Sequence, residues 1–155
     1  MAGGRRSAVR PARASSCRCR LHGAAAYAYA DTQRGVRSAT ACLYRAHVDH
    51  GHVALWLGAS TPDAKAWIQV GVMSDGGEPH AYAETARSGF RDLGRVRFGR
   101  CVELGVMRTA GGAWRVSLDG RVVRYESASL PEDAVTMATS ETLGEGRMAY
   151  RLSAG

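Results

Sequence analysis

The chain has 155 residues, a length that suits a single domain with a core large enough to fold without metal or disulfide bonds. No apolar run approaches the roughly 18 residues of a membrane-spanning helix, which argues against a helical membrane protein. The formal net charge is +7, but six of these charges are arginines in the first twenty residues, so the rest of the chain carries +1. The basic character therefore belongs to a tail and argues against a nucleic-acid-binding face on the domain.

Residues 1–30 are predicted to form a basic, low-complexity tail, with residues 1 to about 25 disordered, because the composition offers little apolar surface to bury. Such a tail would contact nucleic acid or anionic lipid only weakly. The tail ends in Ala28-Tyr29-Ala30, which resembles a signal-peptidase site, although His22 and Gly23 interrupt the apolar stretch before it. The sequence leaves open both a secreted and a cytoplasmic location.

Residues 31–155 are predicted to form one all-β domain, because short apolar runs alternate with turn signals and no segment keeps a helical period. The predicted strands cover residues 36–48, 53–57, 66–73, 80–85, 95–98, 101–107, 114–118, 122–125, 135–143 and 148–152. Asp49-His50-Gly51 and Asp119-Gly120 are predicted turns between strands. This spacing favours a two-sheet antiparallel sandwich. Because no closing turn follows residue 152, the sequence leaves open a missing terminal strand.

The four cysteines divide into two groups. Cys17 and Cys19 lie in the tail, where a bridge between them would be strained. Cys42 and Cys101 each lie in a predicted strand. They would pair if the protein is exported, or remain small buried residues if it is not, and the sequence leaves this choice open.

The segment HVDHGH places His47, His50 and His52 beside Asp49, and these are residue types that zinc prefers. The segment spans a predicted turn, so we interpret these residues as exposed turn residues and predict no metal site. The two Asp-Gly turns lack the ligand spacing of a calcium loop. No phosphate-binding loop or dinucleotide fingerprint is present, so no cofactor is predicted.

Strand alternation separates a core face from a polar, aromatic face. In AWIQVGVM, Ile68, Val70 and Val72 share one face, whereas Trp67 and Gln69 lie on the other. We expect the aliphatic face to be buried between the sheets, together with Val102, Leu104 and Val106. Tyr82 and Glu84 share a face of the next strand. With Trp56 and Trp67 they would form either a surface that binds carbohydrate or peptide, or an ordinary solvated sheet face.

The strings ALWLG, AWIQVGV and AYAE, followed by a Trp-containing strand that ends in an Asp-Gly turn, resemble the glutamic peptidases (eqolisins) and their bacterial relatives. The resemblance runs from about residue 35 to residue 152. It implies a concanavalin A-like jelly roll of two curved sheets. It also implies a catalytic pair without metal or cofactor: Gln69, in the position of the family's LQTG motif, and Glu141, in the position of its AEW motif. The glutamate would act as general base on water, and the glutamine amide would support the oxyanion.

The sequence also departs from that family. Its aromatic WYEWYP segment is reduced to residues 80–84, Thr142 replaces the tryptophan after the glutamate, and the fungal cysteine pattern is absent. Three interpretations follow: an acid-active endopeptidase, a module that binds carbohydrate or peptide through Trp56, Trp67, Tyr82 and Glu84, and a structural domain without a site. The first requires that the Gln69 amide and the Glu141 carboxylate approach each other within about one water's reach in an open cleft.

Overall fold

The computed structural model describes the backbone of residues 13–18 and residues 27–154, with side chains from residue 27 onward except at position 125. The described part contains only strands, turns and loops, which confirms the all-β prediction. The strands are β1 (Arg13–Arg18), β2 (Tyr27–Arg34), β3 (Ser38–Ser60), β4 (Trp67–Ser74), β5 (His80–Thr85), β6 (Gly89–Arg95), β7 (Cys101–Arg108), β8 (Ala113–Leu118), β9 (Arg121–Ser129) and β10 (Val135–Ala154). Within the described residues, no helix is long and apolar enough to cross a membrane.

All strands pair antiparallel in one continuous sheet with the path β6-β5-β4-β3-β7-β8-β9. Strand β10 lies along the whole of β3, while β7 and β4 pair with the first and the last part of β3. Strands β4 and β5 contact β8 and β9 without pairing with them. The sandwich therefore consists of two layers of a single folded sheet rather than two separate sheets.

The core lies between these two layers, and its main contributors are aliphatic residues of β3, β4, β7 and β8. Ile68, Val70 and Val72 are buried, as the sequence predicts. The residues predicted to pack with them are also buried: Val102, Leu104 and Val106. Gln69 lies on the other side of β4 and lines an open cleft, so the predicted register of this strand is confirmed.

The predicted turn at Asp49-His50-Gly51 is wrong, because β3 continues through it for 23 residues. Strand β10 pairs with His50 and Gly51 as well as with the residues on both sides of the segment, and the register shift leaves Asp49 as the extra residue. Gly51 has a φ of +86°, a conformation that glycine adopts without strain. This glycine therefore lies beside a β-bulge within the strand, and the chain does not reverse direction there. Residues 135–143 and 148–152 likewise belong to one strand, β10. In place of the strand predicted at residues 95–98, residues 96–98 form a loop, and residue 95 is the last residue of β6.

The boundary predicted between tail and domain, at residues 30 and 31, falls inside β2. This strand pairs with the edge of β10 that faces away from β3, and β1 pairs further along the same edge. A 20-residue strand presents a long row of backbone groups that need partners, which explains why the chain before residue 31 joins the sheet. The remainder of the segment predicted to be disordered lies outside the described residues.

Cys42 and Cys101 form a disulfide between directly opposed positions of β3 and β7. This settles the choice that the sequence left open. On the neighbouring strand, Arg151 lies opposite Cys42, and its guanidinium group is 3.5 Å and 3.7 Å from the two sulfur atoms. The bridge ties the first part of β3 to β7, at the end of the sheet away from Gln69.

Gly71 marks a place where β3 and β4 approach closely under the cleft. A Cβ atom at Gly71 would lie 2.3 Å from the carbonyl oxygen of Leu55 and 2.7 Å from Cβ of Trp56. These distances are too short for any other residue without movement of the backbone. Glycine at this position therefore permits the close approach of the two strands beside Trp56.

We predict that Gly71→Ala lowers the free energy of unfolding by about 1–3 kcal/mol, the usual cost of forcing an extra group into a packed site. Urea denaturation followed by circular dichroism measures this. Gly77→Ala is the matched control, because the nearest atom to its Cβ would be a side-chain oxygen 3.9 Å away. Equal urea midpoints for the two variants would show that β3 and β4 do not approach too closely for a side chain at position 71.

Candidate functional site

An open cleft of about 720 Å³ lies on the face of the sheet opposite the core. Strands β2, β10, β3, β4 and β5 supply its floor and walls, and Phe90 of β6 closes one side. All six residues predicted from the sequence as site residues line this cleft: Trp56, Trp67, Gln69, Tyr82, Glu84 and Glu141. The structure thus brings together every predicted site residue, including the two that the resemblance pairs.

The strand register explains how distant parts of the chain meet here. Gln69 on β4 lies directly between Gly58 on β3 and Glu84 on β5. Met137 on β10 pairs with Gly58 on one side and with Arg34 on β2 on the other. One row of residues therefore crosses five strands, and Gln69 is the fourth residue in this row. Glu141 lies four residues further along β10 and points into the same cleft.

Glu141 is a buried carboxylate, with only 7% of the residue exposed to solvent. Its Oε1 is 2.8 Å from Nε2 of His52, and its Oε2 accepts a hydrogen bond of 2.8 Å from Nε1 of Trp56. A buried carboxylate without such partners would be strongly destabilising. Since each carboxylate oxygen has a second lone pair, Glu141 can still accept a hydrogen bond from a water molecule or a substrate.

His52 is one of the site residues that were not predicted, because the sequence indicates an exposed turn at this position. Its ring lines the cleft and forms a hydrogen bond with the carboxylate of Glu141. Alternation would have found it: residues 52, 54, 56 and 58 share one face of β3, so His52 lies on the same face as Trp56. His47, by contrast, is exposed and contacts Asp49. The described residues contain no group of three or more metal-ligating side chains.

Gln69 makes two hydrogen bonds through its side-chain nitrogen. Nε2 donates to Oε2 of Glu84 at 3.1 Å and to the hydroxyl oxygen of Tyr82 at 3.3 Å. Partial burial and the negative charge of Glu141 raise the pKa of Glu84, while the bond from Gln69 and the nearby His52 act in the opposite direction. The cleft thus contains two carboxyl groups in different environments: Glu141, which belongs to the predicted pair, and Glu84, which lies beside the other member, Gln69.

Aromatic side chains form both walls of the cleft. Tyr27 and Tyr29 stack on β2 with ring centroids 6.3 Å apart, and the ring of Tyr29 meets that of Trp56 edge-on at 6.4 Å. On the opposite side, Tyr82 stacks against Phe90 at 5.3 Å. Burial and the charge of Glu141 raise the pKa of Tyr29 to about 12, so its hydroxyl group stays neutral.

Tyr27, Tyr29 and Phe90 are each about half exposed, an unusual state for large aromatic side chains on a sheet. This feature was not predicted, because the two tyrosines lie in the predicted tail and Phe90 lies outside the predicted strands. Only the pairing of β2 with β10 brings the tyrosines to the cleft.

Comparison with solved structures finds proteins of similar fold. The crystal structure of scytalido-glutamic peptidase with a transition state analog inhibitor matches with a TM-score of 0.51 and 19% identity, covering 82% of this chain and 63% of that one. A second structure of that peptidase, with a peptide-based analog, gives 0.49 and 19% over 76% and 61%. A Bacillus licheniformis β-glucanase gives 0.42 and 9% over 79% and 68%.

The chain thus spans less than two thirds of the glutamic peptidase structures that it matches. No family model and no curated protein matches the sequence. At this identity the similarity establishes the fold, and it confirms the distant resemblance to glutamic peptidases predicted from the sequence.

We predict that His52→Leu lowers the free energy of unfolding by about 1–3 kcal/mol, because it leaves one oxygen of a buried carboxylate without its donor. Thermal or urea denaturation at neutral pH measures the change. His47→Leu is the matched control, since that histidine is exposed and its hydrogen bond is to an exposed aspartate. If both variants unfold at the same midpoint, His52 does not support Glu141 as described.

Proposed function

We propose that the protein is an acid-active endopeptidase in which Glu141 is the general base and Gln69 supports the oxyanion. The observation that carries the proposal is that the Gln69 amide and the Glu141 carboxylate line the same open cleft. Gln69 lies on β4 and Glu141 lies on β10, and these strands pair with β3 and not with each other. The two side chains nevertheless lie on the same face of the sheet. The resemblance to glutamic peptidases, found independently in the sequence, assigns the same two residues.

The chemistry requires one water molecule and no cofactor. Glu141 accepts a proton from water while the water oxygen attacks the carbonyl carbon of a peptide bond. The carbonyl oxygen becomes an oxyanion, and an N–H group of Gln69 donates a hydrogen bond to it. When the tetrahedral intermediate collapses, the carbon–nitrogen bond breaks and Glu141 returns its proton to the leaving amine.

The surroundings of Glu141 suit this role. His52 and Trp56 each occupy one carboxylate oxygen and fix the orientation of the group, so the remaining lone pairs have a defined direction. The neighbouring tyrosine hydroxyl groups stay neutral and add no competing charge. The open cleft with aromatic walls gives room for an extended polypeptide.

A second candidate function is binding without catalysis. The half-exposed rings of Tyr27, Tyr29 and Phe90 favour it, because exposed aromatic faces bind sugar rings and apolar side chains. In that case Gln69 and Glu141 would form hydrogen bonds with a carbohydrate or a peptide, and the ligand would dissociate without being cleaved. The experiment below separates the two candidates.

We expect cleavage of an unfolded protein substrate on the acid side of the range from about pH 2 to 7, which brackets the ordinary pKa of a carboxyl group. Glu141→Gln keeps the shape but removes the base, and should abolish cleavage. Gln69→Ala should lower kcat by on the order of a hundredfold, the usual loss for one oxyanion donor. Gel electrophoresis and mass spectrometry of the products measure both effects, and chelators should have no effect.

Glu132→Gln is the control for loss of a carboxylate, because Glu132 is exposed and lies in a loop away from the cleft. It should cleave like the wild type. No cleavage by the wild type at any pH would reject the peptidase and leave the binding module, which tryptophan fluorescence with peptide and oligosaccharide ligands would then test. Cleavage that survives Glu141→Gln would contradict the assignment of the base.

A further inference from the structure

The side-chain nitrogen of Gln69 uses both of its hydrogens within the protein. A primary amide nitrogen carries two hydrogens, and Nε2 of Gln69 has two acceptors within the protein, Glu84 and Tyr82. An oxyanion donor needs at least one of these hydrogens. In its present arrangement, therefore, Gln69 must give up one bond before it can support a substrate oxygen.

We propose that Glu84 is a positioning residue that gates Gln69: its ionised carboxylate retains the amide, and its protonated form releases the amide toward the substrate. This inference rests on the proposed function and explains in addition why activity would require acid. It assigns to Glu84 a role beyond that of lining a binding surface.

The position of Glu84 supports this role. It lies directly opposite Gln69 on the neighbouring strand, and its partner on the other side is the apolar Phe90 on β6. No arginine or lysine forms an ion pair with Glu84 in the described part of the chain. Among the described residues, the side chain that donates a hydrogen bond to this carboxylate is the Gln69 amide.

The charges around Glu84 determine when the gate opens. It faces Glu141 on β10, His52 on β3, Tyr27 on β2 and Tyr82 on its own strand. Partial burial and the charge of Glu141 raise the pKa of Glu84, and these effects exceed the opposing ones of Gln69 and His52. Glu84 is consequently neutral below this raised pKa and ionised above it, so the gate opens as the pH falls.

The change in bond strength follows from the charge. A hydrogen bond from an amide to a carboxylate is about twice as strong as one between neutral groups. When a proton from solvent binds Glu84, the bond from Gln69 loses this charge assistance, and a developing oxyanion becomes the stronger acceptor. The proton stays on Glu84 and takes no part in breaking the peptide bond.

Glu84→Gln tests the gate, because glutamine resembles the protonated glutamate in shape and charge but does not titrate. In the wild type, kcat/KM should fall on the alkaline side as Glu84 ionises. In Glu84→Gln the decline of kcat/KM should begin at a pH higher by about one unit or more. At pH values on the alkaline side of the profile, kcat/KM of the variant should then exceed that of the wild type by at least about tenfold. Glu78→Gln, which changes an exposed glutamate outside the cleft, should keep the wild-type profile.

If kcat/KM of Glu84→Gln declines at the same alkaline pH as that of the wild type, the inference is overturned and the peptidase proposal is unaffected. A folded Glu84→Gln variant that is inactive at every pH would also overturn it, because Glu84 would then be needed for catalysis itself. Circular dichroism of each variant establishes that it is folded.

A second measurement does not depend on activity. The ¹⁵N and ¹H resonances of the Gln69 side-chain amide, assigned by their loss in Gln69→Ala, should shift between about pH 3 and 7 in the wild type. They should stay constant in Glu84→Gln. A Gln69 amide that is insensitive to pH in the wild type would reject the gate. If the amide titrates as expected but no variant cleaves any substrate, the gate stands and the peptidase proposal fails.

Discussion

Strand β3 is the element on which the rest of the structure depends. It is paired on one edge with β10 over its whole length, and on the other edge first with β7 and then with β4. This arrangement makes both layers of the sandwich parts of one sheet and places the core between them. It also puts His52 and Trp56 of β3 on the cleft side, between the strands that carry Gln69 and Glu141. Core and cleft are therefore opposite faces of the same strands.

The cost of burying charge explains much of the cleft. Glu141 is almost fully buried and has two N–H partners, whereas Glu84 is half-buried and has one amide partner. Partial burial and the negative charge of Glu141 both disfavour the ionised form of Glu84, so they raise the pKa of Glu84. A higher pKa keeps Glu84 neutral over more of the acid range, which is the state that the proposed gate requires.

Local alternation predicted much of this site. The pattern of β4 places Ile68 and Val70 in the core and Gln69 on the opposite face, because a buried face leaves only one register. The pairing of Cys42 with Cys101 and the roles of His52 and Tyr29 were not predictable in this way. They depend on contacts between residues far apart in the chain: turn-forming residues at 49–51 lie within a strand because β10 pairs on both sides of them, and tail residues reach the cleft because β10 needs a partner.

The central claim is that Gln69 and Glu141 act on the same substrate bond. A crystal structure of the Glu141→Gln variant with a bound peptide substrate tests it most directly. The account predicts an extended peptide in the cleft, with one carbonyl oxygen about 2.7–3.1 Å from the side-chain nitrogen of Gln69 and one water between that carbonyl carbon and the side chain at position 141. A peptide bound elsewhere, or bound in the cleft with every carbonyl turned away from Gln69, would contradict it.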